Sequence, residues 1–154
     1  MTTWMRTLSL ILLWLLPSAA LANDELITVK SAHSAPVTVQ RLQEAFTANG
    51  WTILGTIDYA DHAAKFGVKI PARTMIAFAN ISGWIRFLIE QPTVAIEVPT
   101  RVLVWEDDEG VWVTRDTAWY FLRHITRLYE LKPVEGGIRV MNDRIAAIVD
   151  EVTR

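Results

Sequence analysis

The chain has 154 residues, a formal charge of −2 and no cysteine. That length suits one domain with a substantial core, and the charge balance lacks the clustered positive footprint of a general nucleic-acid binder. Without cysteine there is no disulfide, no thiolate metal site, no thiol nucleophile and no haem-attachment motif.

The first residues read as an export signal. Arg6 is followed by an apolar run from Leu8 to Leu16, broken only by Ser9, and then by Pro17, Ser18 and Ala20-Leu21-Ala22. A charged start, a short apolar centre and small residues before the cut are what signal peptidase recognises. The run is shorter than the roughly 20 residues that span a bilayer. Cleavage is expected between Ala22 and Asn23, with no stable membrane anchor afterwards. Losing 22 residues from 154 leaves 132, and because Arg6 is the one charge lost, −2 becomes −3. The expected location is the periplasm or the exterior.

Leu26 to Lys30 alternates weakly and predicts a first strand. Thr38 is placed to cap a helix whose apolar face carries Val39, Leu42 and Phe46, and Asn49-Gly50 ends it. Trp51, Ile53, Gly55, Ile57 and Tyr59 alternate as a half-buried strand. Asp61 to Gly67 predicts a helical turn or two, capped by Asp61. Thr74 to Ala79 predicts a strand. Ser82 is placed to cap a helix to Glu90, with Ile85, Leu88 and Ile89 inward and Trp84 outside that set; Pro92 stops it. Arg101–Glu106 and Val111–Arg115 form a hairpin around Asp107-Asp108-Glu109-Gly110. Val102 and Val104 face one way, Leu103 and Trp105 the other, as in a central strand or one covered by a partner. Asp116 or Thr117 starts a helix with Ala118, Phe121, Leu122, Ile125, Leu128 and Tyr129 on its apolar side. Pro133 and Gly136-Gly137 break it, and Ile138, Met141, Ile145, Ile148 and Val152 mark a final amphipathic helix. Helices do not strictly interleave the strands, so the fold class is α+β, a mostly antiparallel sheet with helices packed on one face.

From Leu26 onward the chain resembles the family known as domain of unknown function 302. The resemblance rests on Thr38, Leu42 and Gly50; on Ile57-Asp58 followed by His62-Ala63 and Lys65-Phe66-Gly67; on Phe78 with Asn80 behind it; and on Val98-Pro99-Thr100-Arg101-Val102-Leu103-Val104-Trp105-Glu106-Asp107 running into Gly110 and Val111-Trp112-Val113. It implies a single compact domain over residues 23–154 with the layout of the TATA-box-binding-protein fold, which hosts unrelated functions. Family members carry Gly-Asn-Pro-Lys after the middle strand; this chain has Ala79-Asn80-Ile81-Ser82, so Asn80 alone is kept.

Asp58 and His62 are candidates to orient an imidazole or hold a metal, although Asp-His is also an ordinary start for a short helix and two ligands make no metal site. Lys65 and Arg73 could flank the same sheet end and meet an anion, or be solvated charge beside a turn. With Asn80, the ligand-binding candidates are Asp58, His62, Arg73 and Asn80. His33 lies in a polar connection, His124 at the edge of a helix, and Ser34 in no nucleophile motif. Trp84, Trp105, Trp112 and Trp119 suit a core, a dimer patch or an aromatic pocket, with Trp84 the candidate for an interface or pocket rim. Asp107-Asp108-Glu109 fits a plain turn and lacks calcium-loop spacing. The favoured expectation is a non-enzymatic module binding a small ligand or a protein, homodimeric, with no cofactor and no nucleic acid. Two alternatives stand beside it: an enzyme or metal site on Asp58 and His62, and an envelope chaperone-like or stress factor.

Overall fold

The computed structural model describes residues 25–129 and 135–154, so the expected signal segment and Pro133 lie outside the described residues. Five strands form one sheet: β1 (Leu26–Ser31), β2 (Thr52–Asp58), β3 (Arg73–Ala79), β4 (Thr100–Asp107) and β5 (Gly110–Asp116), in the order β1-β5-β4-β3-β2. Every neighbouring pair is antiparallel. The helices are α1 (Ala35–Ala48), α2 (Tyr59–Ala64), α3 (Ile81–Glu90), α4 (Ala118–Tyr129) and α5 (Glu135–Thr153), with a 3-10 helix at Pro92–Glu97 after α3. The α+β class expected from the sequence is the one observed.

The start of α1 differs from the expectation. The helix begins at Ala35, with Ser34 in the extended cap position and a proline in the first turn, where a missing N–H costs nothing. Thr38 is inside the helix and fully buried. Its hydroxyl donates to the Ser34 carbonyl at 3.0 Å, so the Ser31 hydroxyl 2.8 Å away must donate to Thr38. Ser31 in turn accepts from the His33 N–H at 3.2 Å. Thr38 therefore stitches α1 to β1 where a cap was expected. The helix ends as expected: Gly50 takes a φ of 80°, and the Trp51 N–H donates to Phe46 O at 3.0 Å.

β2 breaks its own alternation. Its register shifts between Ile53 and Gly55, a bulge that sends later residues to the opposite face. Ile53 lies opposite Phe78 on the helix side, whereas Ile57 lies opposite Met75 and is exposed. Thr56 now faces α1, and Gln43 Nε2 donates to its hydroxyl at 2.8 Å. The next helix starts at Tyr59, earlier than expected, because the Asp58 carboxylate accepts from the Ala60 and Asp61 N–H groups at 2.9 and 3.0 Å. Asp58, not Asp61, is the cap.

The face of α3 is turned from the expected one, with Leu88 alone of the expected inward residues packed against the core. Trp84 is buried, Ile85 is exposed and Ile89 is 76% exposed. Trp84 packs with Ala79, Val94 and Val98, joined by Phe87 and Leu88, in a small second core. The 3-10 helix supplies Val94, and so gives the bulkiest side chain of α3 an apolar partner that the periodicity of α3 could not reveal. In α4, Phe121 and Leu122 are buried as expected, but Leu128 is exposed, and Ile125 is not among the described side chains. Gly136 and Gly137 lie within the first turn of α5 and do not break the chain before it.

The main core lies between the sheet and helices α1 and α5. Ile76, Phe78, Val102, Val104, Val111 and Val113 meet Leu42 and Phe46 of α1 and Ile145, Ile148, Val149 and Val152 of α5. Phe46 and Phe78 stack with ring centres 3.9 Å apart, and Trp51 meets both edge-on. Truncation of Phe46 to alanine is expected to cost about 3–5 kcal/mol in urea-unfolding free energy. Phe66→Ser, at a position 85% exposed, is expected to stay within about 0.5 kcal/mol of the parent.

Candidate functional site

The four ligand-binding candidates fall at two ends of β3. Asp58 pairs with Thr74, so Asp58, α2 and Arg73 share one end. Asn80 follows the last residue of β3 at the other. A seven-residue strand separates them by about 23 Å. Asp58, His62, Arg73 and Asn80 therefore do not form one site.

At the first end, Asp58 is occupied by capping α2. His62 is exposed on that helix. Lys65 pairs with Asp61 at 3.0 Å, which holds the Asp61 carboxyl below its ordinary range. Among the described residues no group of three or more His, Asp or Glu side chains is placed to hold a metal ion.

Arg73 has a different setting. On the sheet face away from α1 and α5, Arg73, Trp105, Trp112 and Lys30 stand opposite one another across β3, β4, β5 and β1. The two indoles stack with centres 6.0 Å apart, and Lys30 Nζ lies 5.3 Å from the Trp112 ring, a cation–π distance. Both indole N–H groups are tied down: Trp105 donates to Thr114 Oγ1 at 2.8 Å and Trp112 to Asp107 Oδ1 at 2.9 Å. The Trp112 bond, with those from the Glu109 and Gly110 N–H groups, pulls the Asp107 carboxyl below its usual range. Gly110 takes a φ of 140°, and a Cβ there would stand 3.0 Å from Lys30 Cε. The acidic turn is thus a hairpin device that also orients Trp112. The row keeps partial access to solvent, with Lys30 exposed.

At the other end, Asn80 borders a cavity of about 370 Å³ between α3 and the start of α5, within the usual range for small-molecule sites. Trp51, Trp84, Phe87, Ile138 and Met141 wall it, and Arg144 lies at its polar side. The Ser82 hydroxyl donates to Asn80 Oδ1 at 2.7 Å; among the described residues the Asn80 side-chain N–H groups and the Arg144 guanidinium have no partner. A more polar hollow adjoins it, sharing Trp51 and Arg144 and reaching Asn49 and Glu151. Sequence reading named Asn80 and Trp84 here, but Arg144 gave no signal, because one arginine on the exposed side of an amphipathic helix looks like solvated charge.

Sequence reading also missed a charged cluster where α4 leaves β5. Arg101 Nε donates to Asp116 at 3.3 Å and its Nη2 to Tyr120 Oη at 3.1 Å. Arg123 pairs with Glu25 at 2.9 Å. His124 lies against Tyr120 with ring centres 4.3 Å apart, and its buried Nδ1 has no hydrogen-bond partner among the described residues. Burial pushes the Asp116 carboxyl above its usual range, outweighing Arg101; the Arg101 guanidinium, although burial opposes its charge, is raised by Asp116 and Tyr120. Of His33 and Ser34, His33 Nε2 lies 2.9 Å from Arg41, and Ser34 starts α1.

The raised Asp116 has a definite pH signature. A carboxyl with a folded pKa above its unfolded value of about 3.9 stabilises the fold fully below that value, and the contribution is lost as pH rises through the folded pKa. The melting temperature of the parent minus that of Asp116→Asn should therefore fall as pH rises from about 3 to 7. A difference that stays flat or grows would contradict the burial argument.

The model of the family "Domain of unknown function DUF302" matches residues 27–152. A crystal structure of an uncharacterized conserved DUF302 protein from Bacillus stearothermophilus superposes with a TM-score of 0.70 at 16% identity, covering 84% of this chain and 98% of that one. Curated relatives include proteins named "Fluoride-specific ion channel FluC 1" from Brucella suis and Brucella abortus, each 31% identical over 110 residues, or 70% of this chain. The chain spans less than half the length of these relatives, 43% and 41% respectively.

Proposed function

The chain belongs to the DUF302 family, and from that premise we propose that it is a non-enzymatic binding module that takes a small molecule in the cavity between α3 and α5. One observation carries the reading: an apolar hollow of about 370 Å³ whose polar groups, Asn80 and Arg144, have unpartnered donors among the described residues. The module acts in the periplasm or outside the cell after cleavage behind Ala22, with no cofactor and no nucleic-acid partner. The alternative of an enzyme or metal centre on Asp58 and His62 draws less support, since Asp58 serves as the cap of α2. Channel activity is not carried over from the Brucella relatives: the chain covers under half of them, and among the described residues no helix is long and apolar enough to cross a membrane.

The uncovered sheet face favours a second reading, in which two copies pair. The Trp105–Trp112 stack lies between the cations Arg73 and Lys30, and the acidic turn Asp107-Asp108-Glu109 adjoins the same row. A two-fold contact centred on the stack, with its axis oblique to the strands, sets one cation of each copy against the other's acidic turn. This is the pairing proposed for the homodimer. The isoleucines on the outer side of α3 suit an envelope-chaperone role less well, because Arg86 and Glu90, paired at 2.8 Å, interrupt them.

Two measurements separate the readings. Filling the cavity with Met141→Trp should abolish any added mass seen by native mass spectrometry on protein purified from its own envelope, while leaving the oligomeric state unchanged. Trp105→Glu should convert a dimer to a monomer without affecting that added mass. A monomeric parent would dismiss the pairing, and an added mass that survives Met141→Trp would dismiss the cavity.

A further inference from the structure

The cavity sets uncharged apolar walls against polar groups whose free atoms are hydrogen-bond donors, a division that selects a ligand. Trp51, Trp84, Phe87, Ile138 and Met141 present rings, aliphatic carbon and a thioether, none of which carries a charge or accepts a strong hydrogen bond. The opposite side offers donors. Arg144 has five N–H groups and no acceptor. Asn80 keeps its oxygen on Ser82, so its side chain offers N–H groups to anything in the cavity. Both are exposed to or border solvent at the cavity's edge, and no described carboxylate pairs with Arg144. Glu151, two turns further along the same helix, lines the adjoining hollow and not this one.

We propose that the cavity binds a small amphipathic monoanion, an apolar chain or single ring system carrying one carboxylate, with the apolar part against Trp84 and Phe87 and the carboxylate on Arg144 and Asn80. The inference rests on the cavity reading above and adds the class of ligand. An apolar wall rejects a second charge in the body of the ligand, because burying an unpaired charge is strongly unfavourable. A planar guanidinium matches a carboxylate through two parallel hydrogen bonds, which are stronger than neutral ones. A volume of about 370 Å³ lies near the lower end of the range for ligand sites, so the ligand has the size of a medium-chain acid, well short of a two-chain lipid.

The test compares decanoate with decanol, which share a chain and differ in charge. Isothermal titration is run on the full mature chain, on Arg144→Gln and on Met141→Trp. Arg144 is exposed, so its glutamine variant should fold, and circular dichroism melting checks both variants. The expected result is decanoate binding about tenfold tighter than decanol, equal affinities in Arg144→Gln, and no binding of either in Met141→Trp. Equal binding of the two probes to the parent, abolished by Met141→Trp, overturns the anion assignment and leaves the cavity reading standing. Decanoate preference that persists in Arg144→Gln overturns the role given to Arg144. Failure of both probes to bind the parent overturns the ligand class and the cavity reading together.

Discussion

Everything else in the molecule depends on three aromatic rings. With no cysteine to cross-link it, the domain must hold α1 to the sheet by noncovalent contacts, of which packing is the largest. Phe46 from α1 stacks on Phe78 from β3, and Trp51, entering β2, closes both from the side. Gly50 makes this possible: its positive φ turns the chain sharply enough for Trp51 to fold back onto the helix it has just left. Trp51 then has two duties. Its buried ring belongs to the main core, and the same residue lines the cavity. The proposed ligand therefore rests on a part of the protein that cannot move without disturbing the fold, which is the arrangement that gives a site a fixed geometry.

How much of this was legible in the sequence depends on whether a pattern is local. The β4–β5 hairpin was readable because its turn residues and both alternating runs lie within a few positions of each other. The end of α1 was readable for the same reason. The bulge in β2 was not: alternation from Trp51 to Tyr59 looks unbroken, and only the pairing with β3 shows that Ile53 and Ile57 face opposite ways. The face of α3 was misjudged because its apolar residues surround it, so counting spacings gives two answers. The short 3-10 helix, which supplies Val94 opposite Trp84, decides between them. Thr38 looked like a cap because a threonine near a helix start usually is one; its actual partner, Ser31, lies on the preceding strand.

The candidate residues follow the same division. Asp58 and His62 are close in sequence, and their closeness is explained by a cap and a short helix. Arg73 and Asn80 each belong to a larger group assembled from distant segments. Arg73 joins Trp105, Trp112 and Lys30 through strand pairing that no single window of sequence contains. Asn80 and Arg144 border one cavity only because α5 packs against the same sheet as the strand that ends before Asn80. The Asp116 cluster is the extreme case. Its members come from β4, β5 and α4, and what marks it is burial of a carboxylate, a property that composition does not carry.

The position of the cavity has an energetic consequence of its own. It lies where the main core and the small second core meet, between α3 and α5, and its walls include side chains from both. Apolar side chains facing an empty or water-filled hollow forgo the dispersion contacts that a close-packed interior provides. A ligand that fills the hollow restores those contacts on both sides at once and so ties the two cores together. Binding and stability are then linked: a ligand held by the folded chain alone raises the unfolding free energy with its concentration. The strongest effect should fall on α3 and the 3-10 helix, because the small second core they share with β3 buries few side chains, whereas the sheet and α1 are already fixed by the aromatic cluster.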